Sequence, residues 1–526
     1  MTGPGDRGLR WPEGLEAAFA AYEDALMRDD TAVLDTLFEP GPDTIRSDDA
    51  GVLRGHDRIA RFRAGRGGVA RRTIASVDLR PLTDDTVLVV GASAFDGGGH
   101  GVQTQLWRRT GGTWRIAVAH VTGRARALDR SIWRIVGDPL VRGSAPRAGA
   151  ETLVGVRVAV KDLFDVAGQV VGAGNPDRER EAPVARDHAD AVAVLLAAGA
   201  DVTGIARTDE FAYALAGRNA HFGAPPNGAD ASRISGGSTS GPASAVALGQ
   251  ADLGLGTDTA GSIRVPASYQ GLWGLRTTHD AVSRQGLLPL AQSFDTVGWL
   301  ARTPDLLAAA ADVSLPGPQA DLDDRTLLLS DALLDAARPD TARALMAWTD
   351  AVGGPTRRIA LPDLDDLAET LRIVQAAEAW RYHGRWVDEH PGSLGDDVAG
   401  RFTAAAAVTA EDEDRARRRL PELRDRIRTA IGGGVLCLPT VPGPAPGRTA
   451  TGPEVLATRR ATLRMTAIAG IGGLPSVSAP LLHVDGAPVG VAFVAGADTD
   501  RALLAAAAGF RPARTTSPAS TPDVTR

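Results

Sequence analysis

The sequence predicts two consecutive domains of different fold class: an α+β domain over residues 1–125 and a layered α/β domain over residues 152–511. The length of 526 residues exceeds the usual size of a single globular domain. Helical patterns followed by a run of strand-like segments predict the first fold class, and alternating short strands and helices predict the second. Between the domains we expect a linker at residues 126–151, and after them a disordered tail at residues 512–526.

In the first domain, the spacing of apolar residues predicts helices, and β-branched and aromatic residues predict strands. Four large side chains recur at helical spacing: Leu15, Phe19, Tyr22 and Leu26. A shorter helix follows the pair Asp29 and Asp30. Four segments then have the composition of strands, at residues 74–79, 86–95, 102–108 and 114–121.

The junction and the second domain differ from the first domain in composition. Residues 142–150 are small and polar and include a proline, which is typical of a linker. Beyond them, the strand-like segments 157–160 and 201–205 flank the helical segment 190–198. This alternation predicts a sheet covered by helices.

Composition and charge exclude several classes of protein. Hydrophobic residues make up 44% of the chain and charged residues 23%, as in soluble globular proteins. The net charge of -7 provides no basic surface for a polyanion, so we expect neither nucleic acid nor a membrane as a partner. The sole cysteine, Cys437, cannot form an internal disulfide, and the first fifteen residues contain no apolar signal segment, so we expect a cytoplasmic location.

Lys161 is the only lysine among the 57 basic residues of the chain. Arginine can replace lysine at many exposed sites, so a chain this rich in arginine indicates that Lys161 has a task that arginine cannot perform. A buried lysine can lose its proton, whereas arginine, with a pKa above about 12, cannot. Survival of one lysine by chance is the alternative.

Lys161 lies in the first of three segments that combine glycine, hydroxyl and charged side chains. They are VAVKDLFD (158–165), SGGSTSG (235–241) and GLGTDTAGSIR (254–264). Their spacing matches neither a phosphate-binding loop nor a dinucleotide-binding glycine motif, nor the Gly-x-Ser-x-Gly nucleophile elbow. No two histidines of the chain lie three to five residues apart, as a zinc motif would require. Ordinary loop capping by the hydroxyls is the remaining alternative.

Taken together, these segments resemble the amidase signature family, whose members hydrolyse amides with a triad of serine, cis-serine and lysine. The resemblance covers about residues 152–510, including RTDEF (207–211), PASY (266–269) and LPT (438–440). The segments GAGNPD (172–177), NAHFG (219–223) and AQSFDTVGW (291–299) are most similar to the branch of plant indole-3-acetamide hydrolases. It implies an α/β fold with a mixed central sheet covered by helices. It also implies a small-molecule amide as substrate, with no cofactor and no metal.

The resemblance implies a role for each matching residue. Ser262 corresponds to the nucleophile, Ser238 to the bridging serine and Lys161 to the base. The backbone amides of the oxyanion hole correspond to Thr259, Ala260, Gly261 and Ser262, with Ala260 standing where many members carry glycine. Positions that support this loop correspond to Thr257, Asp258, Ser240 and Arg264.

The chemistry of these residues agrees with that assignment. A serine hydroxyl is a weak nucleophile until a base takes its proton, and a desolvated lysine can serve as that base. Consecutive small residues allow several N–H groups to converge on one oxygen. The expected reaction is hydrolysis of a carboxamide to a carboxylic acid and ammonia or an amine, through an acyl-enzyme on Ser262.

The N-terminal domain resembles AtzH-like domains of the SnoaL-like, nuclear transport factor 2-like superfamily. The matching stretches are QTQLW (103–107), GTWRI (112–116), AHV (119–121), GHD (55–57) and RFR (61–63). The resemblance implies a curved sheet wrapped by helices around a conical pocket. Arg46, Arg61 and His120 are candidates to line that pocket and bind a carboxylate, and the alternative is a domain that mediates dimerisation.

Other functions remain open at this point. The chain could be the glutaminase (transamidase) subunit of an amidotransferase, or a binding module that keeps the amidase fold without catalysis. Retention of Lys161, Ser238 and Ser262 favours the enzyme. We expect a homo-oligomer, a dimer, and we expect the aromatic residues Trp380, Tyr382 and Trp386 either to border the acyl pocket or to pack in the core.

Overall fold

The computed structural model describes residues 11–48, 51–64, 69, 71–95, 100–122, 129–145 and 152–510. The chain divides into two compact units, Met1–Asp129 and Arg130–Arg526. Within the described ranges, no helix has both the length and the apolar character needed to span a bilayer. The expected tail at 512–526 lies outside the described residues.

The first unit is an α+β structure, as predicted. Its described helices are α1 (Leu15–Arg28), α2 (Thr31–Thr36) and α3 (His56–Ala64). Its described strands are β1 (Ile45–Asp48), β2 (Gly51–Arg54), β3 (Arg72–Thr83), β4 (Thr86–Phe95), β5 (His100–Thr110) and β6 (Thr113–Val121), in the sheet order β2-β1-β6-β5-β4-β3. The apolar face of α1 packs against buried side chains of this sheet, among them Val87 and Trp107.

The second unit is built on a mixed sheet with helices packed against it. Its described strands are β7 (Trp133–Val141), β8 (Arg157–Lys161), β9 (Asp201–Ala206), β10 (Leu253–Asp258), β11 (Trp273–Arg276), β12 (Thr296–Ala301), β13 (Leu327–Leu329), β14 (Thr356–Arg358), β15 (Val435–Pro439), β16 (Ser476–Val484) and β17 (Ala487–Val494). They follow the order β14-β13-β15-β17-β16-β11-β12-β10-β8-β9-β7. The sheet is the mixed α/β structure that the sequence predicts.

The helices of the second unit cover this sheet or flank it. Those in the described residues are α4 (Pro176–Glu181), α5 (Asp190–Ala197), α6 (Ser240–Ala247), α7 (Arg264–Gln270), α8 (Pro304–Ser314), α9 (Asp331–Ala336), α10 (Pro339–Val352), α11 (Leu364–Glu389), α12 (Asp396–Ala406), α13 (Ala410–Ile431), α14 (Gly452–Gly472) and α15 (Asp500–Gly509), with a 3-10 turn at Glu210–Ala212. The largest buried cluster of the unit joins strands β8, β10 and β15 to helices α5, α11 and α14.

Two neighbouring parallel strands, β8 and β10, bring Lys161 and the loop after Asp258 to the same edge of the sheet. Strand β8 pairs with β10 in parallel, with Val160 opposite Leu255, so both chains leave the sheet at the same edge. Lys161 is the last residue of β8, and Asp258 is the last residue of β10. Loops that follow parallel strands at their carboxyl ends are brought together by the sheet.

The segment expected to be a linker contains a strand of the second unit. Strand β7 lies within residues 126–151 and pairs antiparallel with β9 at the edge of the mixed sheet. Ile132 and Trp133 are fully or almost fully buried, at 0% and 3% exposure. The compact second unit therefore begins near Arg130, some twenty residues before the predicted boundary.

Candidate active site

The side chain of Lys161 is buried among hydroxyl groups at the end of β8. Its Nζ lies 2.9 Å from Ser238 Oγ, 3.1 Å from Thr239 Oγ1 and 2.7 Å from Thr257 Oγ1. None of these partners is a carboxylate, and the Lys161 side chain has no exposed surface. The structure therefore brings the sole lysine against the predicted bridging serine, in surroundings that do not pair a charged ammonium.

Burial lowers the pKa of Lys161 from its ordinary 10.5 to about 7. The charged ammonium loses hydration that three hydroxyls replace only in part, so the neutral amine is favoured. The carboxylates of Asp209, Asp258 and Asp295 oppose this effect, in that order of size. The lowering of the pKa by desolvation is larger than its raising by the carboxylates, so a large fraction of Lys161 is neutral near pH 7.

Ser238 is held by hydrogen bonds to its backbone. The Gly237–Ser238 peptide bond is cis. The carbonyl oxygen of Ser238 accepts from Thr208 Oγ1 at 2.8 Å and from the N–H of Asp209 at 3.2 Å. The next residue, Thr239, donates its N–H to the carbonyl oxygen of Ser262 at 3.1 Å, which ties this loop to the predicted nucleophile.

The carboxylate of Asp209 contacts the loop that holds the cis Gly237–Ser238 peptide bond, residues 235–241, called here the cis-serine loop. A Cβ atom at Gly237 would lie 2.4 Å from Asp209 Oδ2, so only glycine fits at this position. Asp209 Oδ2 accepts the N–H of Gly217 at 2.9 Å. Burial raises the pKa of Asp209 to about 6.

The loop after β10 is organised around the carboxylate of Asp258. This carboxylate accepts the N–H groups of Gly261 at 2.9 Å and Ile263 at 3.1 Å. It also receives Arg264 NH2 at 2.7 Å and Arg276 NH1 at 3.1 Å, both from buried guanidinium groups. These cations outweigh burial and hold the pKa of Asp258 far below its usual range. The predicted supporting residues Asp258 and Arg264 thus form a buried ion pair.

The backbone N–H groups of residues 259–262, the predicted oxyanion donors, differ in their hydrogen bonding. Gly261 N–H is committed to Asp258, whereas the N–H groups of Thr259, Ala260 and Ser262 have no acceptor among the described residues. Thr466 Oγ1 donates to the carbonyl oxygen of Ala260 at 2.8 Å and fixes that peptide. The positive φ of the loop, 122°, falls on Gly261, so alanine is accommodated at 260. Three of the four predicted oxyanion donors are thus free to bind a ligand.

Three residues around the site have no role in the sequence prediction. Thr239 holds Lys161, Asp209 contacts the cis-serine loop, and Arg276 shares Asp258 with Arg264. Asp209 and Thr239 lie inside segments that the resemblance covers, which is a signal that could have found them. Arg276 lies outside the three glycine-containing segments and the other family motifs. It reaches Asp258 because β11 pairs with β12, which pairs with β10.

The other predicted binding residues do not gather at one site. Trp386 stacks on His390 at 4.3 Å and packs near Phe211, and Tyr382 is exposed, so these aromatic residues of α11 pack or face solvent. In the first unit, Arg46 pairs with Asp48, while His120 and Arg61 are exposed. His120 is opposite Ser47 in the sheet, and Arg46 is opposite Ala119. Adjacent strand positions face opposite sides, so Arg46 and His120 do not line a common pocket.

A cavity of about 420 Å³ adjoins the cis-serine loop and the loop that follows β10. Its apolar wall includes Ile234, Val265 and Tyr269. Val265 donates its N–H to the carbonyl oxygen of Gly261 at 2.8 Å, and Tyr269 lies against Gly236 of the serine loop. The cavity therefore lies beside both loops, although Lys161, Ser238 and Ser262 do not line it.

Comparison with known proteins agrees with this architecture. A model of the family Amidase matches residues 141–339, and a model of AtzH-like domains matches residues 13–126. Amidase 1 of Arabidopsis thaliana is 35% identical over 409 residues, covering 71% of this chain and 95% of that protein.

Solved structures show the same relationship. A crystal structure of an amidase superposes with a TM-score of 0.63 at 28% identity, covering 73% of this chain and 91% of that one. Another, described as a vestigial protein complex that reveals the evolutionary origins of an s-triazine catabolic enzyme, gives a TM-score of 0.64 at 30% identity, covering 69% and 85%.

The fold and its relatives define a hydrolase of amide C–N bonds. The chain belongs to the amidase signature family and carries an AtzH-like domain at its N-terminus.

Proposed function

We propose that the protein hydrolyses a small-molecule carboxamide through an acyl-enzyme on Ser262, with Ser238 as the bridging serine and Lys161 as the base. The observation that carries the proposal is the contact between Lys161 Nζ and Ser238 Oγ at 2.9 Å, inside a site that lowers the pKa of Lys161 to about 7. A base that is half neutral near pH 7 can take a proton and return it.

The hydroxyls around Lys161 favour the direction that the proton transfer needs. A neutral amine has two N–H donors and one lone pair. Thr239 donates its own hydroxyl to the carbonyl oxygen of Thr257 at 3.2 Å and therefore accepts from Lys161. With Thr257 Oγ1 as the second acceptor, the lone pair of Nζ is left for the hydroxyl of Ser238.

Acylation follows from this arrangement. Ser238 passes its proton to Lys161 and takes the proton of Ser262, whose Oγ forms a bond to the amide carbon. The carbonyl oxygen becomes an oxyanion and receives the free N–H groups of Thr259, Ala260 and Ser262. The C–N bond breaks as the proton held by Lys161 returns through Ser238 to the leaving nitrogen, which departs as ammonia or an amine.

Deacylation uses the same groups in reverse. Water gives a proton to the relay of Ser238 and Lys161, and its oxygen attacks the acyl carbon. The ester bond to Ser262 breaks, Ser262 recovers its proton, and the carboxylic acid is released.

Release of ammonia from a panel of amides tests the proposal. The panel contains indole-3-acetamide, phenylacetamide, glutamine and biuret, and the variants are Ser262→Ala, Ser238→Ala and Ser244→Ala. Ser262→Ala should abolish release, and Ser238→Ala should reduce it strongly. Ser244→Ala, a matched control on α6 whose hydroxyl binds the carbonyl oxygen of Pro226, should retain activity.

The same panel separates the other functions. Release from glutamine alone would favour the glutaminase subunit of an amidotransferase, and a folded protein that releases no ammonia would favour a non-catalytic module. Near-wild-type activity of Ser262→Ala would contradict the assignment of the nucleophile. We further propose a homodimer, supported by the likeness to a protein described as part of a complex, and light scattering would measure its mass.

A further inference from the structure

The cavity beside the nucleophile loop carries an unusual distribution of charge. Three arginines and two aspartates line it: Arg218, Arg401, Arg459, Asp396 and Asp397. The rest of the wall is largely apolar, and the chain as a whole has a net charge of -7. A cavity with excess positive charge in an acidic protein selects for negative ligands.

Two of the three arginines have partners within the protein. Arg401 pairs with Asp397 at 2.7 Å and donates to the carbonyl oxygen of Tyr213 at 2.6 Å. Arg218 donates to backbone carbonyl oxygens, including that of Arg448 at 2.9 Å. Asp396 is exposed at the start of α12.

Arg459 has no such partner. Its Nε is buried without a hydrogen bond, and no ion pair or hydrogen bond joins its guanidinium to any other described residue. Burial and the nearby charge of Arg401 lower the pKa of Arg459 to about 10, so the group still carries its charge at neutral pH. The carboxylate of Asp397 acts on Arg459 from a distance but forms no ion pair with it. A half-buried cation that no carboxylate contacts is costly unless a ligand supplies that contact.

The position of Arg459 on α14 relates it to the reacting carbonyl. Arg459, Thr462 and Thr466 follow one another at intervals of three and four residues, so they share one face of the helix. Thr462 lines the cavity with Arg459, and Thr466 binds the carbonyl oxygen of Ala260 in the oxyanion loop. Seven residues span about 10 Å of helix, and the long side chain of arginine can cover part of that distance.

We propose that the substrate is an amide whose acyl portion ends in a carboxylate, and that this carboxylate pairs with Arg459 while the amide lies at Ser262. The monoamides of short dicarboxylic acids belong to this class. A planar guanidinium binds a carboxylate through two parallel hydrogen bonds. The apolar wall of Ile234, Val265 and Tyr269 would hold the methylene chain between the two ends. This inference names the substrate class of the proposed amidase and rests on that function.

The test compares anionic amides with neutral amides of equal chain length. The probes are succinamic, glutaramic and adipamic acids, and their neutral counterparts are butanamide, pentanamide and hexanamide. In the wild type, kcat/KM for the best anionic probe should exceed that of its neutral counterpart at least tenfold. In Arg459→Met this preference should fall about 10- to 100-fold, the range expected for a lost charged hydrogen bond. Arg459→Lys should restore part of it.

Arg460→Met is the matched control, because Arg460 is the exposed neighbour on the same helix and does not line the cavity. It should keep the wild-type preference. A wild type that shows no preference for the anionic probes would overturn the proposal, whether or not the variants fold. An equal preference in the wild type and Arg459→Met would also overturn it.

A binding measurement separates this inference from the proposed function. Glutarate, the product of glutaramic acid hydrolysis, should bind the Ser262→Ala protein in calorimetry, and Arg459→Met in that background should weaken binding about 10- to 100-fold. Arg459-dependent binding without any amide hydrolysis would refute the function and support the site. Glutarate binding that is absent or independent of Arg459 would refute the site, while amide hydrolysis could still stand.

Discussion

Lys161→Arg separates a general base from a structural cation, because both residues carry a positive charge and only lysine can lose it near neutral pH. At its ordinary pKa of 10.5, about one lysine in 3,000 is neutral at pH 7. With a pKa lowered to about 7, half of the molecules hold a neutral amine. The site thus increases the population of the base about 1,500-fold.

The loss expected from the substitution follows from the same reasoning. General-base assistance contributes about 100- to 10,000-fold, so kcat for ammonia release should fall by at least about 100-fold. A guanidinium would also be larger than the space enclosed by the hydroxyls of Ser238, Thr239 and Thr257, so urea unfolding must accompany the rate measurement.

The pH profile provides the sharper measurement. Because the base acts when deprotonated, log kcat/KM of the wild type should rise with a slope of one below about pH 7 and become level above it. Lys161→Arg should lack this rising limb. Retention of more than roughly a tenth of the wild-type rate, or an unchanged limb, would refute Lys161 as the base.

Three further predictions concern the surroundings of the site. Asp209→Asn should move the midpoint of the rising limb to lower pH in the same rate assay. Among the carboxylates that raise the pKa of Lys161, that of Asp209 has the largest effect, so its removal should lower this pKa. A shift to higher pH would contradict this prediction. Asp258→Asn should cost about 3–5 kcal/mol in urea unfolding at pH 7, since it leaves two buried guanidinium groups unpaired. The partly exposed Asp252→Asn should cost about 1 kcal/mol or less, and equal losses would refute the distinction. A chain that begins at Arg130 should be more stable than one that begins at residue 152 by about 3 kcal/mol or more, because the shorter chain loses two buried apolar side chains of the edge strand.

The pH dependence of stability offers a check on Asp258. Its carboxylate has a depressed pKa in the folded state, so its contribution is fully present above the ordinary value of about 4 and is lost as the pH falls below it. The difference in unfolding free energy between the wild type and Asp258→Asn should therefore shrink on acidification.

The sequence carries much of the candidate site because the site is assembled from short contiguous segments, two of which lie at the ends of neighbouring strands, while the segment of Ser238 leads into α6. Lys161 ends β8, the loop of Ser262 follows β10, and parallel pairing brings these ends together. The glycines and hydroxyls of these loops are therefore visible as local patterns. The fold class of both units is predicted for a similar reason, since it depends on the order of helical and strand segments.

The features that the sequence did not predict depend on contacts distant in the chain. Strand β7 pairs with β9, more than sixty residues later, and its own sequence includes Gly137 and Pro139, which are uncommon within strands. Arg276 reaches Asp258 because β11 pairs with β12 and β12 in turn pairs with β10. The failure of Arg46 and His120 to meet depends on strand register, which shifts a side chain to the other face with each residue.

Burial acts on four cations around this site, and their partners determine the outcome. Arg264 and Arg276 share the carboxylate of Asp258, so each of these cations has an anionic partner. Lys161 contacts hydroxyls alone, so it relieves its burial by losing a proton. Arg459 contacts no carboxylate in the described part of the chain, although Asp397 lies near enough to raise its pKa, and it cannot lose its proton near neutral pH. Because Asp258 is already paired with two arginines, its effect on Lys161 is reduced. Asp209 pairs with no cation among the described residues and has the larger effect on the pKa of Lys161. If Lys161 is the base, as proposed, the pH at which the enzyme works is set by the surroundings of Ser238, and the charge of Arg459 is available to a ligand.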